Sequence, residues 1–314
     1  MPETGIVIVT YNSAAEIGAC LDAALQSGAE VVVVDNASED KTAQLASRPG
    51  VQVIVNPTNL GFAGAANQGF SVLNCTYVLL LNPDAVLQTS LERLRAACQL
   101  PLASGAGGLI LDSDGKAQVG FMVRKFPTPA ALALEALLLN RVWPRNKVNR
   151  SYRGLDLNYS QLQVIEQPAG AFLMVRRAVW EELGGFDEGF WPLWFEDVDF
   201  CRRAADRGYQ WHFVPDAVVK HTGAHSILKL TLEKRRVYWY RSLLRYSAKH
   251  FHAMGMRVVC GAVVVGSVLR LLSESALERS LKPVAVYSKV ILFAARLFFG
   301  RVNSSKLSVF DVNQ

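Results

Sequence analysis

Four runs of branched and long apolar residues recur along the first third of the chain, at 5–10 (GIVIVT), 31–35 (VVVVD), 51–56 (VQVIVN) and 77–82 (YVLLLN). They are continuous rather than alternating, the mark of strands covered on both faces of a parallel sheet. Segments of helical period separate them, over 14–27, 39–46 and 62–73. This repeated strand and helix order predicts an α/β fold on an open, doubly wound, mostly parallel sheet. Such sheets bind ligands beyond the carboxyl ends of their strands. Polar residues collect at those ends: Thr10, Tyr11 and Asn12, then Asp35, Asn36 and Ser38, then Asn56 and Asn59, then Asn82 and Asp84. Alone, Asp35-Asn36-Ala37-Ser38 is equally a helix-capping turn; four strand ends supplying one edge favour a shared site.

The fourth run ends in Asn82-Pro83-Asp84. Pro83 halts the strand ladder and holds Asn82 extended, so Asp84 is presented on a stiff turn. Its type and place suit a hard divalent cation, Mg or Mn, that keeps waters and takes diphosphate oxygens. A second constellation spans 184–208, where Glu196, Asp197 and Asp199 open a helix expected to reach Arg207 and stop at Gly208. Val198, Cys201 and Ala205 form its expected apolar stripe. Acidic residues complement a helix N-terminus. Three carboxylates in four positions exceed that need, and a clustered, buried carboxylate makes a competent general base. His221 ends a later strand-like run, with His225 beyond it, whereas His212, His250 and His252 read as structural. The stretch NLGFAGAANQGF has neither the G-x-G-x-x-G spacing nor a P-loop lysine, which excludes dinucleotide and Walker-type sites.

Composition adds an appendage to this picture. Hydrophobic residues make up 51% of the 314 and charged ones 19%. Up to Leu228 there are 18 Lys and Arg against 23 Asp and Glu; from Lys229 to Lys306 there are 15 against 3. A basic region of this kind meets an anionic surface. The apolar stretches 258–269 and 290–300 between its cations favour a membrane over nucleic acid. The first is 12 residues between Arg257 and Arg270, short of the roughly 20 a spanning helix needs, and Lys289 and Arg296 interrupt the second region. Helices lying in the interface, with snorkelling cations, are therefore expected; packing on the protein itself or a true span are the alternatives. Arg141, Arg145, Lys147, Arg150 and Arg153 lie in a weakly periodic stretch that reads as a solvated loop, or else as a mobile segment for an anionic acceptor. Five scattered cysteines without a C-x-x-C pair argue against a disulfide framework or a zinc site and for a reducing compartment. No basic region precedes the first apolar run, so a cleaved signal is not expected.

The ordered set VTYN, VVDNAS, NLGFAGAANQG, LLLNPDA, AGAFLMVRR, GGFDEGF, FEDVDFCRR and HTGAHS, over 5–226, resembles glycosyltransferase family 2, in particular its rhamnosyltransferase-like members. The resemblance implies an A-type glycosyltransferase fold, a nucleotide-diphosphate sugar donor, Mg or Mn, and inversion at the anomeric carbon. It implies that Thr10, Tyr11 and Asp35 hold the nucleoside and that Asn59, Asn67 and Asn82 line the nucleotide pocket. Asn82-Pro83-Asp84 stands where many relatives have Asp-x-Asp, so Asp84 is the one metal carboxylate and His221 its partner on metal or diphosphate. Asp197 is the implied base, with Glu196 beside it. Residues 1–228 are then the catalytic domain and 229–314 a helical membrane-associated region. A cytoplasmic enzyme peripheral on the inner membrane face, with a glycan or lipid-linked acceptor, follows; dTDP-rhamnose as donor rests on the resemblance. A sugar nucleotidyltransferase lacks support, since no Gly-rich basic loop lies near the N-terminus. A non-catalytic sugar-nucleotide sensor or scaffold would not need Asp84, Glu196 and Asp197 together.

Overall fold

The computed structural model describes residues 3–223, 230–278 and 280–300. The first half of the chain forms β1 (Thr4–Thr10), α1 (Ile17–Gln26), β2 (Glu30–Asp35), α2 (Thr42–Ala46), β3 (Val51–Val55), α3 (Gly61–Val72), β4 (Tyr77–Leu81), β5 (Ala85–Leu87), α4 (Glu92–Cys98), β6 (Ala103–Leu111) and β7 (Val123–Arg124). Then follow α5 (Pro129–Ala136), α6 (Leu139–Val142), α7 (Lys147–Tyr152), β8 (Gln163–Ile165), β9 (Gln167–Pro168), β10 (Phe172–Arg176), α8 (Arg177–Leu183), α9 (Glu196–Ala205) and β11 (Gln210–His221). The last described helices are α10 (Leu232–His250), α11 (Ala253–Glu278) and α12 (Lys282–Phe298). His225 lies outside the described residues.

These elements divide into two units. The first comprises Met1–Phe126, Arg153–Glu188 and Glu196–Lys229; the second comprises Pro127–Tyr152, Gly189–Phe195 and Leu230–Gln314. The chain thus does not part at a single point after 228: the helical unit also draws in two segments from within 1–228.

In the first unit a nine-stranded sheet runs β3-β2-β1-β4-β10-β6-β11-β5, with β8 paired to β11. The four apolar runs form its parallel half, β1 against β2 and β4, and β2 against β3. The helix expected over 39–46 begins only at Thr42, because Ala37 takes a left-handed φ of 65° and Asp40 accepts from the Thr42 N–H at 3.0 Å. Beyond β4 the sheet turns mixed: β10 is antiparallel to both β4 and β6, while β11 runs parallel to β6. Strand β6 is rich in glycine for a steric reason. A Cβ on Gly105 would lie 2.1 Å from the Met174 carbonyl oxygen and 2.6 Å from the Trp211 ring, and one on Gly108 2.6 Å from the Phe172 ring. Large rings of neighbouring strands therefore fill the space where β6 side chains would stand.

In the second unit Thr128 caps α5, accepting from the Ala131 N–H at 3.1 Å, with Pro129 at the first turn. Helix α5 lies so close to α11 that a Cβ on Gly266 would stand 2.1 Å from the Ala136 carbonyl oxygen, which also accepts from Arg270 at 2.6 Å. On α10, Arg241 and Arg245 sit over the rings of Trp191 and Phe190, and Ser242 Oγ donates to the Leu193 carbonyl at 3.0 Å. The basic stretch from Arg141, expected as a solvated loop, is instead ordered by buried amides. Asn146 donates to Asn140 Oδ1 at 3.0 Å and to the Trp143 carbonyl at 2.7 Å, and Asn140 donates to Glu135 at 2.9 Å. Such short helices are too brief for a periodic signal. All five cysteines are free and buried.

Gly105→Ala tests the packing of β6. The added methyl must displace backbone or Trp211, so the variant is expected to lose about 2 kcal/mol or more of unfolding free energy in urea titration.

Candidate active site

Thr10 and Asp35 end β1 and β2 opposite one another in register. The buried Asp35 carboxylate accepts from Thr10 Oγ1 at 2.9 Å, from Ser38 Oγ at 2.6 Å and from the Ser38 N–H at 3.1 Å. These bonds fix its orientation at the strand end. Tyr11 follows directly, half-buried. Asn36 ties the next loop to this point: its amide donates to Asn59 Oδ1 at 2.9 Å and to the Gly61 carbonyl at 3.1 Å, while its oxygen accepts from the Leu60 N–H at 2.9 Å. Asn59 is thus beside the strand end, whereas the side chain of Asn67 is committed elsewhere. Its oxygen accepts from Phe186 N at 2.9 Å and Trp180 Nε1 at 3.2 Å, and its amide donates to Phe186 O at 2.9 Å and Glu188 at 3.0 Å. Asn67 joins α3 to the segment after α8.

At the end of β4, the Asn82 carbonyl accepts from the Ala85 N–H at 3.0 Å and closes the Asn-Pro-Asp turn. The β5–β11 register sets His221 opposite Ala85, next to Asp84. His221 Nε2 lies 3.3 Å from Asp84 Oδ1 and 3.3 Å from the Asn82 amide nitrogen. Asp84 Oδ2 accepts from the Gly223 N–H at 2.9 Å. The imidazole is stacked on Phe121 with an interplanar angle of 6°, and Gln118 donates to the His221 carbonyl at 2.7 Å. Burial pushes the Asp84 carboxyl up, but the hydrogen bond and charge of His221 and the Gly223 N–H outweigh it and hold it below the ordinary value. Among the described residues, no group of three or more His, Cys, Asp or Glu converges to cage an ion. A carboxylate and an imidazole meeting at one point, with an amide beside them, fit a divalent ion that takes its other ligands from water and a diphosphate.

The third group lies at the start of α9. Asp197 Oδ2 accepts from the Gly170 N–H at 2.9 Å and from Gln167 Nε2 at 3.3 Å. The next carbonyl along, of Ala171, accepts from the Asn82 N–H at 3.0 Å. Two adjacent residues before β10 therefore link Asp197 to the Asn-Pro-Asp turn. A Cβ on Gly170 would stand 3.2 Å from Asp197 Oδ2, so this close approach favours glycine. Burial raises the Asp197 pKa, opposed by the N–H groups of Gly170 and Val198 and the charge of Arg124. Glu196 is 7% exposed and its Oε2 has no hydrogen-bond partner. Burial, reinforced by the Asp197 charge, raises its pKa well above the ordinary glutamate value.

Helix α9 is rotated from the expected stripe. Phe200, Cys201 and Ala204 face the core together with Glu196 and Asp199, while Val198 and Ala205 are only half-buried. Arg203 makes this possible, donating to Asp199 at 2.8 Å. Sequence reasoning assigned no role to Gly170, Gln167, Gln118 or Phe121. The motif containing Gly170 was visible, but its contact with Asp197 spans 27 positions.

A model of Glycosyl transferase family 2 matches residues 5–183, and one of Glycosyl transferase family group 2 matches 159–299. The chain belongs to glycosyltransferase family 2 and is an enzyme of that class. It is 29% identical over 280 residues, 78% of this chain and 88% of the other, to an N-acetylglucosaminyl-diphospho-decaprenol L-rhamnosyltransferase of Mycobacterium tuberculosis. It is 27% identical over 176 residues to rhamnosyltransferase WbbL of Escherichia coli K12, covering 55% and 62% of the two chains. Among solved structures, a mannosyltransferase of Pyrobaculum calidifontis in complex with GDP-Man and Mn2+ superposes with a TM-score of 0.53 at 16% identity, over 99% of this chain and 88% of that one. GalNAc-T7 with UDP, GalNAc and Mn2+ gives 0.51 at 16% identity, over 80% and 51%. These likenesses establish the A-type glycosyltransferase fold.

The burial of Glu196 has a measurable signature. A carboxyl whose folded pKa exceeds its unfolded one stabilises fully below the unfolded value, and that contribution is lost as pH rises through the folded one. Wild-type protein is therefore expected to gain melting temperature relative to Glu196→Gln as pH is lowered from about 8 to about 5. Parallel curves would mean that Glu196 titrates normally.

Proposed function

We propose that the chain is an inverting transferase that moves L-rhamnose from dTDP-rhamnose to a lipid-linked diphosphate glycan at the cytoplasmic face of a membrane. The observation that carries this reading is the link through Gly170 and Ala171, which couples a half-buried carboxylate of raised pKa to an Asn-Pro-Asp turn facing an imidazole. The rhamnosyltransferase relatives, one named for a diphospho-decaprenol substrate, support the donor sugar and the acceptor class.

In this reading Thr10, Tyr11 and Asp35 hold the nucleoside, and Asn59 and Asn82 line the nucleotide pocket, with Asn67 bracing the wall behind. Asp35 accepts from the base, held in place by Thr10 and Ser38. Asp84 and His221 would hold a divalent ion, Mg or Mn, which would supply positive charge to the departing diphosphate. Asp197 takes the proton of the acceptor hydroxyl as that oxygen attacks the anomeric carbon from the face opposite the diphosphate, which inverts the centre in one step. The Gly170 N–H and Gln167 amide aim the carboxylate at that proton. Burial raises the Glu196 pKa, which disfavours a second negative charge beside Asp197.

Two measurements test this. Asp197→Asn is expected to lower kcat by about 100-fold or more while leaving nucleotide-sugar affinity unchanged. In the wild type, kcat/KM falls as pH drops through the raised Asp197 pKa, giving an acid limb above the ordinary aspartate value of 3.8. Unchanged turnover in the variant would remove Asp197 as base; a chain that binds donor but never turns over, wild type included, would be a sensor. Separately, dTDP-rhamnose with Mn or Mg is expected to raise the melting temperature more than GDP- or UDP-sugars do. Asp84→Asn should abolish the metal-dependent part of that shift; an equal shift in the variant would place the ion elsewhere.

A further inference from the structure

We propose that the helical unit docks flat on an anionic lipid bilayer through one face of α11, the outer edge of α12 and the Val142-Trp143 corner. This inference is independent of the sugar chemistry and goes beyond it. By length and composition Ala253–Leu277 could cross a membrane, and the 12-residue run between Arg257 and Arg270 understates the helix. Its packing decides otherwise. Val259, Cys260, Val263 and Ser267 are fully buried on one side, and Gly266 and Arg270 are committed to Ala136 of α5. Only the other side remains for lipid.

That side is continuous. Met254, Val258, Val265, Leu269 and Leu272 are 67%, 47%, 51%, 53% and 62% exposed. At 100° per residue they fall within about 60° of one another and extend over about 27 Å. No acidic residue occurs from Ala253 to Ser273. The exposed Leu292 of α12 shares a face with Leu281 and Phe299, which flank the helix at its two ends, and Lys282, Lys289 and Arg296 recur every seven residues along its flank. Apolar ridges bordered by cations bury their ridge among acyl chains and set their cations on headgroup phosphates.

Two further observations favour lipid as the occupant. Between Phe251 and Gly300 the sequence has only Glu274 and Glu278 as acids, and Glu274 is turned inward onto Arg236 and the Tyr287 hydroxyl. The α11 face from Met254 to Leu272 thus carries no acidic residue. Val142 and Trp143, 84% and 68% exposed, stand between Arg141 and Arg145 on a corner braced by the Asn146 amide. An exposed tryptophan between arginines suits the headgroup level of a membrane. A second copy of this chain would set like-charged flanks against each other across a two-fold axis.

The test is flotation of the full chain with vesicles of phosphatidylcholine, alone or mixed with phosphatidylglycerol. The protein is expected to float with the mixed vesicles and to be released by salt. Val265→Ser with Leu269→Ser and Leu272→Ser, all at exposed positions, should weaken binding about tenfold or more without lowering the melting temperature. Lys282→Gln with Lys289→Gln should weaken binding to the mixed vesicles alone. Folded wild-type protein that ignores vesicles, or a serine variant that floats as well as wild type, overturns the proposal. So does resistance to an alkaline carbonate wash, which would mark a span. A serine variant that dissociates a wild-type dimer while the wild type binds no vesicle would assign the face to a second copy.

Discussion

Gly170 and Ala171 serve two partners at the sheet edge: the first gives its N–H to Asp197, the second its carbonyl to the Asn82 N–H. Each bond satisfies a group whose isolation in the interior would be costly. Together they set the spacing between a carboxylate on a helix and a turn at a strand end. That spacing is available because β10 lies antiparallel between β4 and β6, delivering its preceding loop to the carboxyl end of β4. A substituted Gly170 or a shifted β10 would therefore alter the spacing of these two groups.

Along this edge, environments divide the carboxylates into two kinds. Asp84 meets an imidazole and a backbone N–H that lower its pKa, whereas desolvation raises both Glu196 and Asp197, and the Asp197 charge raises Glu196 further. Opposite shifts along one strand edge let a single fold keep one carboxylate charged while raising the proton affinity of another. Glu196 and Asp197 differ in turn. Asp197 has three donors to steady its charge, while one oxygen of Glu196 has none among the described residues.

The parallel half of the sheet was legible because its signal is local: four continuous Val, Ile and Leu runs, each ended by polar residues. The strand ends Thr10, Asp35, Asn82 and Asp84 followed from the same pattern. What was not legible depends on distant partners. The pairing of β10 between β4 and β6 joins residues 66 to 99 positions apart, and nothing in FLMVR states its direction. Asn67 has the composition of a pocket residue, yet its amide is used 119 positions away at Phe186. The stripe on α9 was misjudged by counting apolar residues, since Arg203 allows Asp199 to turn inward. Likewise Gly189–Phe195 joins the helical unit through Arg245, whose guanidinium leaves no room for a Cβ on Gly189.

The burial of all five cysteines bears on how the molecule can be handled. Desolvation raises Cys98 and Cys260 to about 12 and Cys75 to about 11, and lifts Cys20 and Cys201 as well, so almost none of their sulfur is thiolate near neutrality. Thiolate is the form that alkylating reagents consume. The five native thiols of the folded chain are therefore expected to react slowly with maleimides, and a single cysteine introduced at an exposed position is the faster handle. Fluorophores or spin labels can be attached there with every native thiol left in place.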